Sequence, residues 1–279
     1  GLCGAGGGLP GGRLGGVTVP RRFRRAEAGA LFTRHYAGAS STNYTLFTLM
    51  YGLQAQKLEA TVGAGRRPVL FPTLGANGYR MKVLAASCVD WMDMKDTVFG
   101  GVPAEDLRTW CEDVEPPDRD AAMLAVAEDF TRGAEPDRPL FLFLFFFGTH
   151  FNYFLDPEDE VVKPFWDGES GIKATSAPGP LIEARARNAA HKLDRVLDRF
   201  LSDFERVRGR PPLVVFTGDH GEEFRQKGHI GHGSAVTSEQ IHVPAWIAWG
   251  NGALDPAEEE ALRRNAEAPA THLDLLPTI

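Results

Sequence analysis

The stretch VVFTGDHGEEFRQKGHIGHGS, residues 214–234, starts as a strand and ends as a loop crowded with chemistry. Val214 to Thr217 form a short apolar run between Pro211-Pro212 and Gly218, which reads as a buried strand. Asp219, His220, Glu222, Glu223, His229 and His232 follow at once. A carboxylate and an imidazole at the point where a strand breaks are a good donor pair for Zn²⁺ or Mn²⁺, or for a harder ion if oxygen ligands dominate. Gly218 and Gly221 give the backbone freedom that a tight ligand loop requires. An isolated Asp-His pair is more often a capping Asp beside a surface His, but here His232 and Ser234 share the loop. Imidazoles beside a cation can contact an anionic substrate or protonate a leaving oxygen. His229, near Lys227 in a polar stretch, suits a rim position.

Working outward, each neighbouring segment alternates between strand and helix. Leu193, Val196, Leu197, Phe200, Leu201 and Phe204 recur at helical spacing before the strand. VPAWIAWG (243–250) reads as another strand, and THLDLLPTI (271–279) as the start of a helix. Upstream, Leu140 to Phe147 is an apolar strand opening into GTHFNYFLDP, and Arg80 to Ala86 is a strand after a short helix stopped by Gly78. Leu46, Leu49, Met50 and Leu53 line one helix face, with Ser40, Ser41 and Thr42 at its start as cap candidates. Short all-apolar strands alternating with helices predict an α/β fold, a mostly parallel central sheet with helices on both faces. In such sheets functional groups collect beyond the C-terminal ends of the strands. The polar clusters at 148–153 and 218–223 both follow that rule.

The composition narrows the function. A net charge of −7 over 279 residues leaves one short basic cluster, Arg21, Arg22, Arg24 and Arg25, so no nucleic-acid partner is expected. Cys3, Cys88 and Cys111 are an odd set without metal-type spacing, and no disulfide framework is implied. The longest apolar run, Pro139 to Gly148, is far short of the ~20 residues that span a bilayer as a helix, and no signal-peptide pattern is visible. The Gly-rich opening and arginine cluster, residues 1–27, are expected to be disordered or misread. Residues 28–279 are expected to form the folded domain.

At this point the motifs carry a resemblance. VVFTGDHGEEFRQKGHIGHGS with QIHVPAWI resembles the metal-binding loop of the sulfatase and alkaline-phosphatase superfamily. HYAGASSTNYTLFTLMYGL (35–53) resembles its nucleophile segment, FFGTHFNYFLDP its substrate-side segment, and THLDLLPTI a stretch common near the end of the domain. The nearest branch is the membrane-anchored one, with lipoteichoic acid synthase, phosphoethanolamine transferases and sulfatase-like proteins of the YejM type. The resemblance implies an ester hydrolase or transferase acting on phosphate or sulfate esters, possible lipid-linked substrates included. It makes Thr42 the nucleophile and a metal ligand, Asp219 and His220 the other ligands, and His150 and His232 contacts to the transferred group or leaving oxygen. Asn152, Tyr153, His229 and Ser41 fall on the substrate side, Ser41 also being the alternative nucleophile. Ser40, Ser41 and Thr42 could equally do no more than cap the helix.

One divalent ion (Mn, Zn, Mg or Ca) is the implied cofactor, and no formylglycine is expected because no cysteine has the C/S-x-P-x-R context. The branch implies a domain facing the periplasm or exterior of a bacterial inner membrane, anchored only by segments absent from this chain. The family pattern begins with an apolar strand ending in an acidic residue, yet no acidic residue precedes Glu27. The first strand is therefore expected to be missing and the domain incomplete at both ends. That departure supports a second reading, a catalytically silent domain that binds lipid or a protein partner. His272 with Asp274 divides evenly between a site role and a helix start. Asp194 reads as structural or supporting, and His35, His191 and His242 as structural or surface residues.

Overall fold

The computed structural model describes residues 21, 25–26, 29–111, 113–168 and 176–279. The expectation for residues 1–27 lies almost wholly outside them. In chain order the elements that position the site are β1 (Ala30–Phe32), β2 (His35–Tyr36), α1 (Thr42–Tyr51), α2 (Leu70–Ala76), β3 (Arg80–Ala85), β4 (Leu107–Thr109), α3 (Arg119–Arg132) and β5 (Leu140–Phe145). They are followed by α4 (Gly179–Arg208), β6 (Val214–Thr217), the hairpin β7 (Glu223–Phe224) and β8 (Ile230–Gly231), β9 (Ala245–Ala248), α5 (Pro256–Asn265), β10 (Ala270–Thr271) and α6 (His272–Thr278).

β3 pairs in parallel with both β4 and β5, giving the order β4-β3-β5. Period-2 alternation explains why these strands are apolar throughout. Met81, Val83 and Ala85 of β3, with Phe141, Phe143 and Phe145 of β5, pack against Leu46, Phe47 and Met50 of α1 and Phe71 of α2. Leu84 and Ala86, with Leu142, Leu144 and Phe146, face Met123, Leu124 and Ala127 of α3 and Leu197, Phe200 and Leu201 of α4. Both faces of the layer are covered, as in parallel sheets generally.

The second sheet has the order β1-β9-β6, and β9 runs antiparallel to both neighbours. The parallel arrangement thus holds for β4-β3-β5 but not here. After β6 the chain makes its excursion over the C-terminal edge and re-enters from that same edge, so β9 must descend antiparallel. Among the described residues β5 and β6 share no ladder. They flank an apolar slot of about 280 Å³, lined by Leu142, Leu144, Phe200, Val214 and Phe216 and ending at Asp219.

β10 pairs with β2 and brings the C-terminal helix beneath α1. His35 on β2 is fully buried, its ring 5.3 Å from that of His272. Neither ring nitrogen finds a hydrogen-bond partner among the described residues. Burial lowers its pKa from 6.5 to about 4, with Asp274 pulling upward and His242 downward. The unfolded chain therefore binds this proton in a window where the folded chain refuses it. Stability is complete above pH 6.5 and falls as the pH drops toward 4, by on the order of 3 kcal/mol from this group. Urea unfolding of His35→Leu across that window is expected to show a shallower acid limb than the parent. An unchanged limb would remove His35 from the account.

Candidate functional site

α1 places the candidate nucleophile. Ser41 is its N-cap with extended backbone (φ −139, ψ 139), and Thr42 is the first helical residue. The Ser41 hydroxyl donates to Asn43 Oδ1 at 3.0 Å and does not cap the helix. The first-turn N–H groups, which lack intrahelical partners, therefore lie beside the Thr42 hydroxyl with the positive end of the helix dipole.

The loop after β6 brings Asp219 and His220 to the same point. His220 Nδ1–H donates to the Gly221 carbonyl at 2.9 Å, which leaves Nε2 with its lone pair. Burial lowers the His220 pKa to about 4, so the ring is neutral at physiological pH. Its Nε2 lies 3.1 Å from Thr42 Oγ1 and 3.2 Å from Asp219 Oδ2. A hydroxyl, a neutral imidazole and a carboxylate converging within these distances fit a divalent cation. Gly221 makes the turn possible, since a Cβ there would lie 2.0 Å from the Glu239 carbonyl oxygen.

Two further histidines border the same cavity, whose volume is about 330 Å³. The His232 ring sits 3.9 Å from that of His220 and 6.1 Å from that of His150. His232 Nδ1–H donates to Glu222 Oε1 at 2.9 Å, leaving Nε2 available. Glu222 is itself held by the Tyr153 hydroxyl at 3.1 Å. Burial, then the Glu222 charge, raises the Tyr153 pKa well above 10, which keeps that hydroxyl a donor. His150 stacks on Phe147 at 4.7 Å, and its Nδ1–H donates to the Phe151 carbonyl at 2.7 Å.

Thr42, His150, Asp219, His220 and His232 therefore line one cavity, whereas Ser41, Asn152, Tyr153 and His229 are not among its lining residues. The Tyr153 ring is fully buried against Trp166, Ile182 and Phe224, and its hydroxyl supports Glu222 from behind. Asn152 directs its carbonyl to Arg185 Nε at 2.7 Å. His229 is exposed on the hairpin, tied through its backbone to Glu223 and Arg225.

Four contributors were not singled out by motif. Glu222 lies two residues beyond His220, and its place in GDHGEE is a signal that could have marked it. Asp120, near the start of α3, accepts the Phe147 and Gly148 N–H groups at 2.7 and 2.8 Å and so fixes the loop carrying His150. Nothing in its local sequence announces that contact across 27 residues. Trp91 and Met94 form an apolar wall of the cavity, and Trp91 is 55% exposed at its mouth.

The cysteine expectation is corrected. Cys88 and Cys111 form a disulfide with a Cα–Cα distance of 4.5 Å. They follow the ends of the paired strands β3 and β4, and a sequence separation of 23 gives no hint of that adjacency. Cys3 lies outside the described residues. Another group of ligand-type side chains, Asp156, Glu158 and Asp159, is already ion-paired with Lys192 and Arg195.

The sulfatase family model matches residues 14–279. The chain belongs to the sulfatase family. It is 26% identical over 160 residues to the Kdo(2)-lipid A phosphoethanolamine 7''-transferase of Escherichia coli (strain K12), covering 53% of this chain and 27% of that protein. The C-terminal periplasmic domain of phosphoethanolamine transferase EptC from Campylobacter jejuni superposes with a TM-score of 0.73 at 14% identity, over 92% of this chain and 78% of that one. The corresponding Escherichia coli EptC domain, solved in complex with Zn, gives a TM-score of 0.66 at 12% identity, over 93% and 73%. These structural likenesses establish an alkaline-phosphatase-like α/β fold. The sulfatase-family chain spans a third or less of the length of the curated relatives it matches. Among the described residues, no helix is long and apolar enough to cross a membrane.

Proposed function

We propose that this chain is the catalytic domain of a metal-dependent enzyme that transfers a phosphate- or sulfate-ester group through Thr42 to an alcohol or water. The observation that carries this reading is the convergence of Thr42 Oγ1, His220 Nε2 and Asp219 Oδ2 at a helix N-terminus. Those three side chains would hold one divalent cation, and a bound cation supplies Lewis-acid polarisation of the ester and eases ionisation of the hydroxyl.

The chain's own groups perform the remaining tasks. Thr42 Oγ forms the new bond to phosphorus or sulfur while the bond to the donor's alcohol oxygen breaks, and that oxygen leaves with the electron pair. The proton that Thr42 Oγ loses passes to His232, whose Nε2 carries none while its Nδ1–H is held by Glu222, and from there to the departing oxygen, and His150 borders the same cavity. Glu222 holds the His232 ring in orientation. In the second half, an acceptor hydroxyl attacks, gives its proton to the same imidazole, and Thr42 Oγ departs. The N–H groups of the first turn of α1 stabilise the oxyanions throughout.

The Cys88–Cys111 disulfide favours an oxidising compartment, in keeping with a domain on the outer side of a bacterial inner membrane. Kinship with a lipid A phosphoethanolamine transferase favours phosphorus over sulfur and a lipid-linked acceptor.

Metal content tests the proposal. The purified chain is expected to carry one divalent ion, read by mass spectrometry of dissolved metal. Asp219→Ala is expected to weaken Mn²⁺ binding by more than the roughly 10–100-fold that changes behind the ligands cost. Equal metal content in parent and variant would sink the ligand assignment.

A further inference from the structure

α6 begins at His272, whose fully buried side chain has no part in the steps above. Its Nδ1 accepts the Gly38 N–H at 3.3 Å. Its Nε2–H donates to the Gly218 carbonyl at 3.0 Å, with the Thr217 hydroxyl oxygen 3.3 Å from the same nitrogen. A backbone N–H only donates and a carbonyl only accepts, so the two bonds together define one form of the ring, uncharged with its proton on Nε2. Burial, aided by the His35 ring, lowers the pKa of this imidazole to about 3, in keeping with that form.

The two backbone groups belong to different loops. Gly218 immediately precedes Asp219 and is wedged in place: its N–H goes to the Pro244 carbonyl at 3.1 Å, and a Cβ on it would lie 3.3 Å from Val243. Gly38 lies four residues before Thr42 and presses on α1, where a Cβ would come within 2.5 Å of Thr48 Oγ1. Any shift of Gly38 is therefore passed by contact to the helix that carries Thr42. α6 also touches the far end of α1, Leu276 packing on the cap residue Gly52.

We propose that His272 is a positioning residue, a bridge between the nucleophile loop and the metal loop that sets the separation of Thr42 from Asp219 and His220. This rests on the proposed function, and the test separates the two. His272→Asn keeps an acceptor near the Nδ1 position and loses the Gly218 bond. His272→Gln keeps a donor near the Nε2 position and loses the Gly38 bond.

With the Gln variant, amide exchange over residues 38–45 is expected to quicken roughly tenfold while residues 217–221 stay protected. Its Mn²⁺ affinity is expected to hold within about twofold, while kcat on an aryl phosphate ester falls roughly 10–100-fold at little-changed KM. With the Asn variant, exchange is expected to rise over 217–221 instead, and Mn²⁺ binding to weaken roughly 10–100-fold. Variants that alter both loops alike, or neither, overturn the bridge. Should both variants fail to fold, ¹⁵N shifts of the parent imidazole decide: a proton on Nδ1 overturns the proposal, and one on Nε2 sustains it. A parent that binds no Mn²⁺ and turns over no ester, yet shows the split exchange pattern, sustains the bridge and overturns the proposed function.

Discussion

Thr42→Ala is expected to lower turnover of an aryl phosphate or sulfate ester by on the order of 10⁴-fold or more, the scale seen when an enzyme loses its nucleophile. Thr42→Ser is expected to retain most of the activity, because its hydroxyl can occupy the same place 3.1 Å from His220 Nε2. The loss is expected in kcat, since the hydroxyl forms its bond to the transferred group only as reaction proceeds. Mass spectrometry of rapidly acidified reactions is expected to find the transferred group on the Thr42 peptide of the parent and of Thr42→Ser, and on no peptide of Thr42→Ala. Turnover within tenfold of the parent in Thr42→Ala would place the nucleophile elsewhere. Ser41 would then be examined first, although its hydroxyl is engaged with Asn43.

The second large effect is on stability. Asp159 is fully buried and accepts from Arg195 Nε at 3.1 Å, Arg195 Nη2 at 2.8 Å and His191 Nδ1 at 2.9 Å. Burial works to raise the Asp159 pKa, but the Arg195 and His191 bonds outweigh it and hold the carboxyl below its ordinary 3.8. Arg195→Met keeps the aliphatic stem and leaves that charge buried with only His191 and the Asp156 backbone to hold it, an expected loss of roughly 3–5 kcal/mol by urea unfolding near neutral pH. In the parent, this carboxylate contributes stability above pH 3.8 and loses it as the pH falls through the lowered folded value. The variant carboxyl is expected to shift upward, so mild acid narrows the gap between the two proteins. Arg195→Met with Asp159→Leu is expected to recover much of the loss. A single-variant loss below about 1 kcal/mol, the scale of an exposed pair, would mean that Asp159 reaches water in solution. The network also includes Asp156, and with Asn188 at the Val161 and Val162 N–H groups it fastens the segment beyond His150 onto α4.

Much of the site was legible because its residues lie within short loops at strand ends. Asp219 and His220 are adjacent in sequence, His232 follows 12 positions after His220, and a strand before them implies that all three emerge at one edge. Thr42 was legible as a helix start through the apolar spacing behind it, and Ser41 is indeed the cap residue of α1. The contributors that escaped are those whose role is defined across long sequence separations. Asp120 reaches the His150 loop, Tyr153 reaches Glu222 over 69 residues, and Cys88 meets Cys111 only because β4 lies beside β3. The direction of β9 escaped too, because an all-apolar strand buried on both faces reads the same in a parallel or an antiparallel ladder.

Local chemistry explains the division. Side-chain period, helix caps and the clustering of ligand-type residues are set by neighbours a few positions apart, so the sequence alone determined the α/β class, most element positions and the crowd of ligand types after β6. Which His nitrogen is free, which carboxylate supports which ring, and how far Thr42 lies from Asp219 and His220 depend on bonds closed between distant segments. Those bonds form only when burial of the two apolar layers forces the segments together, and so the tertiary structure alone decided them.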